Sequence, residues 1–539
     1  MSSADAITAH LASLSPLMRT LVQPILDALN AIIIGLEAEV ATLRLENEQL
    51  KADQVRAKEE KEKQEESLVR QKERIDQLEH QLYGKKSEKV PDGRQDAKKQ
   101  LRGARSEEEK ARRNAAIAAR RAAALANLAV RTVEIPLSPD ERCSCCGGAE
   151  WRPLPTTEDS TVLEWVPGRV ERIVYQREKA VCLGCKESIV TAPTPPQVDA
   201  SVQYGPLMHA KVVADKCLMA LPLHRQARAL ERLGAPIAVS VICGMFHRAA
   251  ATLRPVYEAI LKRTPTMDVV QADETGQPTL APGTGCVRKA WMWTFVDAQA
   301  ILFVYSFSRG GEVAKEILQG SKGALVVDGL STYGVVTTSD GRQRGGCWSH
   351  ARRQIFLARK YAYELVDGLL VDIGVLFLVE ETAIDEGYWG TDRLLEQRAK
   401  VSAPALDRIF AKAREHVGSF SPESTIAKAL KYTLNQEAEL RLFLTVRNLP
   451  IHNNASERAL RIIALLRKNA LFVGHKEGGE NLAVLLTLCA TCQLHGVNPE
   501  AWLADVLVRI WVRGVSMDEL MPWNWVKGGI VVPEVRMAA

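Results

Sequence analysis

Two short apolar runs, VVQAD ending at Asp273 and ALVVD ending at Asp328, constrain this chain more than any other feature. A carboxylate at the end of a buried strand is costly unless it is paired, hydrogen-bonded or bound to a cation. One such acid is often a turn former or a helix cap. Two on neighbouring strands, followed by a distant Glu on a helix, form a constellation. The surrounding pattern supports strands. MDVVQADETG, WMWTFVDA and ILFVYSFS follow one another over short connections, which predicts a three-strand meander. GEVAKEILQG then reads as a helix, and GALVVDGLSTYG as one more buried strand. This β-β-β-α-β order, with acids at these places, describes a ribonuclease H-like fold.

The third acid is Glu457, in IHNNASERALR at 451–461, where it heads the apolar, helix-periodic run ALRIIALLRKNALF. It could be an i,i+4 partner for Arg461, or one of several acids that hold a metal ion. About 130 residues separate it from Asp328, and structureless loops of that length are rare, so an inserted domain is expected. Helical patterns over about 360–445 supply it. A few carboxylates that leave room for phosphate suit Mg²⁺, which wants hard oxygen ligands and keeps water. Two such ions stabilise the attacking and leaving oxygens of a phosphoryl transfer together.

At 539 residues the chain is too long for one core and should divide into three or four domains. Leu29, Leu36, Leu43 and Leu50 recur every seven residues, with Leu26, Ile33, Val40 and Asn47 at the second heptad position. That pattern favours a parallel dimer whose single Asn fixes register. Residues 1–83 are therefore read as a leucine-rich coiled-coil helix. Residues 84–132 follow as a basic arm, broken at Pro91 and Gly93 and suited to nucleic-acid contact. Residues 133–195 contain two C-x-x-C pairs, Cys143 with Cys146 and Cys182 with Cys185, which fit a closed tetrahedral, structural Zn²⁺ site. Cys145 leaves the register within CSCC open. Cys489 and Cys492 lie in an apolar helical run and read as core. Residues 196–264 carry two helical stretches around Gly234, with helix-turn-helix spacing. Eleven cysteines without a disulfide-type framework, and a start without a signal-peptide pattern, suit a reducing, cytoplasmic compartment. No apolar run is long enough for a membrane span.

These motifs, in this order, resemble the transposases of the insertion sequence 66 family over nearly the whole chain. QLYGKKSEK is similar to the family element after its leucine-rich helix, and CSCCGG with CLGC resembles its zinc segment. ADETG, VVDGLSTYG, GCWSHARRQIF and NNASERALRIIALLRKNALF resemble its catalytic blocks, and LCATCQLHGVNPEAWLADVLVRI its C-terminal block. The resemblance implies a catalytic domain over 265–480 and a C-terminal helical region over 481–539. It implies a DDE-type triad of Asp273, Asp328 and Glu457, with two Mg²⁺ (or Mn²⁺) per active site. Such an enzyme would bind the terminal inverted repeats of its element, nick DNA and join the freed end to target DNA. It would act in a bacterial cytoplasm, on the nucleoid, at least as a dimer, with accessory proteins of the same element. Lys85, Lys86, Arg112, Arg113, Arg352, Arg353, Arg458, Arg461, Arg467 and Lys468 are the cations expected to meet phosphate. Cys347 and His350, in CWSH, match a Cys-x-x-His element of related groups. As two ligands fall short of four, they are read as bracing the strand beside the site. One departure from the family is His452, where an Asp usually precedes the paired asparagines. A nuclease without strand transfer, or a catalytically inactive DNA-binding regulator, are the competing readings.

Overall fold

The computed structural model describes residues 15–83 and 204–526, apart from 282 and 338–340, with a few short pieces between 111 and 198. The chain divides into two units, one of residues 1–89 with 416–428 and one of residues 90–415 with 429–539. In the first, α1 (Pro16–Tyr83) is one uninterrupted helix of 68 residues, roughly 100 Å long. Its heptad leucines Leu29, Leu36, Leu43 and Leu50 are each about half exposed or more. The helix runs straight through the charged stretch where the heptad phase is lost. There Lys51, Lys58, Glu60 and Lys61 stand exposed to solvent.

In the second unit, a short antiparallel pair, β1 (Lys179–Val181) and β2 (Ile189–Thr191), precedes three helices. These are α2 (Pro206–Met219), α3 (Leu223–Arg232) and α4 (Val239–Arg263). The turn between α3 and α4 passes through Gly234 at φ +81°, a left-handed conformation that glycine adopts without cost. Arg225, Arg228 and Arg232 stand exposed on α3, while Gln226 and Leu230 face inward.

A five-stranded sheet follows, in the order β7-β6-β3-β8-β9. Its strands are β3 (Val269–Gly276), β6 (Trp291–Val296), β7 (Ile301–Ser306), β8 (Ala324–Val326) and β9 (Gln343–Gly345). The expected meander is present: β3 pairs antiparallel with β6, and β6 with β7. A helix, α5 (Gly311–Leu318), carries the chain across to β8, which lies parallel to β3, and β9 lies parallel to β8. A small hairpin, β4 (Thr279–Leu280) with β5 (Val287–Arg288), interrupts the meander.

The edge of the sheet at β7 is closed by helices. α13 (Lys476–Leu494) offers Thr487 Oγ1 to the Phe303 amide (2.8 Å) and Thr491 Oγ1 to the Ile301 amide (3.2 Å). From α4, the Tyr257 hydroxyl donates to the Phe303 carbonyl (3.0 Å). Backbone groups that would otherwise template another strand are thus satisfied. Gly479 permits this close approach, for a Cβ there would sit 2.5 Å from the Tyr305 ring. Cys489 and Cys492 on α13 are buried, as expected of core residues.

At the opposite end, the fully buried Arg342 gathers the starts of β3 and β8. It donates to the carbonyls of Pro265 (2.9 Å), Met267 (2.6 Å) and Ala324 (3.1 Å), and to Ser321 Oγ (2.8 Å). After β9 comes the helical insertion, beginning with α6 (Trp348–Leu357), α7 (Tyr363–Asp385) and α8 (Asp392–Gln397). α9 (Ala403–His416), α10 (Thr425–Asn435) and α11 (Glu437–Arg441) complete it. Its buried Arg398 forks onto Glu380 (2.7 and 2.8 Å) and donates to the carbonyls of Phe443, Val446 and Leu449. One guanidinium therefore fixes the segment that leads back to the sheet. α12 (Asn454–Ala470) then lies against β3 and β6, and α14 (Pro499–Arg509) and α15 (Met517–Leu520) close the described chain.

Candidate active site

The register of the sheet brings the first two acids level. Gln271 pairs with Val326 in the parallel β3–β8 ladder, and two residues further on stand Asp273, within β3, and Asp328, just past the end of β8. Each acid is also tied to the backbone just beyond it. The Glu274 amide donates to Asp273 Oδ1 (2.9 Å), and the Leu330 amide to Asp328 Oδ1 (3.0 Å). Arg344 on β9 holds the same loop by donating to the carbonyls of Asp328 (2.7 Å) and Leu330 (2.9 Å). Gly329 is needed here because a Cβ would come within 2.7 Å of the Tyr432 and Gln436 side chains.

The third acid arrives from α12. Asn453, fully buried at the start of that helix, donates from Nδ2 to the Ala272 carbonyl (2.8 Å), one residue before Asp273. The Ala455 amide donates to Gln271 Oε1 (3.2 Å). These bonds pin the first helical turn, which carries Glu457, to the strand carrying Asp273. Further along, Arg467 donates to Thr275 Oγ1 (2.9 Å) and to the Gly276 carbonyl. Arg467 is therefore engaged with β3, while Arg458, Arg461 and Lys468 stand exposed on the same helix.

The electrostatics show how much negative charge collects here. Burial pushes the Asp273 carboxyl up to about 7, with further upward pressure from Glu274, Asp328 and Glu457, against only the Glu274 amide pulling down. Glu274 is itself raised by burial, but it is paired: Tyr333 Oη donates to Oε2 (2.7 Å) and Arg309 Nε to Oε1 (3.0 Å). Among the described residues, Asp273 has no such cationic partner. A half-buried acid ringed by like charge is the local chemistry that a divalent cation relieves.

Glu457 does not pair with Arg461. Its Oε1 lies 3.6 Å from His350 Nδ1, and Cys347 stands beside them. Among the described residues, Cys347, His350 and Glu457 form a group whose donor atoms all lie within 4.8 Å of one another. The Cys347 thiol is buried, its pKa is pushed up to about 11 mainly by that burial, and its sulfur accepts from the Asn453 amide (3.3 Å). The Cys-x-x-His pair has a third companion, Glu457, that spacing alone did not supply.

His452 stacks on Phe377 of α7 with ring centroids 6.0 Å apart, and its Nδ1 accepts from the Asn454 amide (3.4 Å). A carboxylate could accept the same bond, so the departure from Asp keeps the acceptor at the head of α12. Of the remaining cations, Arg353 and Arg112 are exposed and Arg352 is half-buried. Lys85, Lys86, Arg113 and the four cysteines Cys143, Cys146, Cys182 and Cys185 lie outside the described residues. Sequence reasoning passed over Gln271, Glu274, Tyr333 and Asn453. Gln271 was the most readable of them, as a polar residue inside a buried strand.

Comparison with known proteins fits this geometry. The description "Transposase IS66 family" matches residues 201–481, which contain all three acids. "IS66 C-terminal element" matches residues 487–523, and "zinc-finger binding domain of transposase IS66" matches residues 140–186, spanning the four cysteines. These matches define a transposase-type enzyme with a zinc-finger-type domain. The chain belongs to the IS66 family of insertion-sequence transposases. It is similar to three proteins of Sinorhizobium fredii. "Uncharacterized protein y4jD" is 31% identical over 416 residues, which is 73% of this chain and 80% of the relative. "Uncharacterized protein y4qI" is 30% identical over 404 residues, 70% of this chain and 73% of the relative. "Uncharacterized protein y4hP" is 30% identical over 417 residues, 72% and 74% of the two chains. No helix among the described residues is long and apolar enough to cross a membrane.

Proposed function

We propose that Asp273, Asp328 and Glu457 are the acid triad of a DDE transposase that cleaves and joins DNA on a ribonuclease H-like sheet. The observation that carries this reading is Asp273, a half-buried acid without a cationic partner among the described residues, whose charge is opposed by Glu274, Asp328 and Glu457. The sheet order, with an antiparallel meander followed by two parallel strands, supports the fold assignment. The donors are all carboxylate oxygens, which fits Mg²⁺ or Mn²⁺. When bound, such ions would polarise the scissile phosphate and make the attacking oxygen more acidic. The chain's own residues do the positioning. Asn453 and Gln271 lock the start of α12 against β3, so the distance from Glu457 to the strand acids is set by hydrogen bonds. Arg344 and the Leu330 amide hold the loop of Asp328. Arg458, Arg461 and Lys468 give the same helix an exposed basic face that offsets the acids' repulsion of phosphate.

Around this centre, residues 133–195 hold a structural Zn²⁺ through Cys143, Cys146, Cys182 and Cys185. The basic arm, the zinc module and the α3–α4 pair grip the inverted repeats, with Arg225, Arg228 and Arg232 facing the DNA. The exposed heptad face of α1 pairs with a second copy. The test is incubation of the purified chain with labelled element ends, Mg²⁺ and a target plasmid. Joined product lost on Asp273→Ala, with end binding retained, is the expected result. Cleavage without joining would instead indicate a nuclease, and binding without cleavage a regulator.

A further inference from the structure

The head of α6 and the head of α12 face each other across a second cluster of donors. Cys347 is the residue just before α6, and His350 lies in its first turn, so the C-x-x-H spacing turns both side chains to one side of the helix start. Glu457 reaches them from the first turn of α12. A metal at bonding distance of about 2.0–2.3 Å from tetrahedral donors requires those donors to stand roughly 3.3–3.8 Å apart. His350 Nδ1 and Glu457 Oε1 are 3.6 Å apart, and all three donor atoms lie within 4.8 Å of one another. Two further details point to a ligand. His350 Nδ1 is buried and has no hydrogen-bond partner, an expensive state for an imidazole nitrogen. The Cys347 sulfur, in turn, receives the backbone amides of Asn453, His350 and Ser349. These N–H groups only partly offset the burial that holds the thiol protonated, and they point at the lone pairs of the thiolate that a bound cation would leave once it displaced the proton.

We propose that Cys347, His350 and Glu457 form a second metal site, separate from the Cys₄ module, that takes a borderline-soft divalent ion such as Zn²⁺. The thiolate–imidazole–carboxylate set discriminates against Mg²⁺, which prefers oxygen alone. Binding displaces the thiol proton to solvent and leaves a fourth position for water. A consequence rests on the catalytic reading above: Glu457 cannot serve this ion and the strand acids together, so Zn²⁺ here withdraws it from the triad and restrains cleavage.

The experiment uses the full chain. Zinc content after equilibration with Zn²⁺ and gel filtration is measured for wild type, Cys347→Ser, His350→Gln and Glu457→Gln, with circular dichroism confirming that each variant is folded. Cys347→Ser and His350→Gln should each bind one equivalent less than wild type, whereas Cys143→Ser should leave this equivalent in place. Equal zinc in wild type and both variants would overturn the proposal. So would a loss confined to Cys347→Ser, which would mean a lone reactive thiol. In Mg²⁺-supported end cleavage, with each protein normalised to its own zinc-free rate, added Zn²⁺ should inhibit wild type and spare Cys347→Ser. If no chain cleaves at all, the catalytic reading fails while the zinc stoichiometry still decides the site.

Discussion

Replacing Asp273 by Asn should make the magnesium-free protein more stable while removing its chemistry. Burial and the charges of Glu274, Asp328 and Glu457 raise this carboxyl from an ordinary 3.8 to about 7. That is roughly three tenfold steps in proton affinity, or ~4 kcal/mol of folding free energy spent on ionising it at pH 8. The sign follows from linkage. A group whose folded-state pKa is raised favours folding below its unfolded value, and the benefit is lost as pH climbs through about 7. Asn keeps the oxygen that accepts the Glu274 amide and removes the charge. With local relaxation absorbing about half of the upper figure, the variant should gain ~2 kcal/mol at pH 8, or about 4 °C in Tm. The difference should shrink as pH falls through about 7 and vanish only below the unfolded value of 3.8, where both states are protonated. Fluorescence of the buried Trp293 and Trp348 reports unfolding of this unit specifically. Saturating Mg²⁺ should raise the wild-type Tm and leave the variant unmoved. A variant no more stable than wild type at pH 8, or a gain independent of pH, would refute the argument that Asp273 is held in unrelieved negative charge.

Other consequences follow from the same contacts. Arg398→Ala strands the buried Glu380 and the carbonyls of Phe443, Val446, Arg447 and Leu449, and should cost about 3–5 kcal/mol in urea unfolding. Tyr333→Phe removes the 2.7 Å hydrogen bond to Glu274 and should cost ~1–3 kcal/mol, measurable in the same titration. His452 has its pKa lowered, chiefly by burial, and accepts from Asn454 in its neutral form. Its contribution is therefore full above an unfolded pKa of about 6.5 and declines as pH falls below it. His452→Asn should flatten that acid limb of the stability profile.

The parts that could be read from sequence were those with a strong local cost or a strong period. The meander was legible because WMWTFV and ILFVYS are largely apolar runs; β6 emerges buried almost throughout and β7 at every position but three. Asp273 and Asp328 stood out because an acid at the end of such a run demands an explanation. The insertion followed from length alone. The β4–β5 hairpin was missed, since two-residue strands leave no periodicity to detect. The meeting of Glu457 with Cys347 and His350 was also invisible. It depends on two helix starts more than a hundred positions apart converging through Asn453, which bonds to Ala272 with its amide side chain and to Cys347 with its backbone. Arg467 shows what charge alone leaves out: its guanidinium donates to Thr275 Oγ1 and to the Gly276 carbonyl. Composition reports charge but not which charges the fold has already used.

The most direct test of the catalytic reading is diffraction at the manganese edge from crystals of the chain bound to an element-end duplex and soaked in Mn²⁺. The account predicts anomalous density within about 2.2 Å of carboxylate oxygens from Asp273, Asp328 and Glu457 together. Density absent from this trio, or Glu457 still held against His350 while Mn²⁺ sits elsewhere, would contradict it.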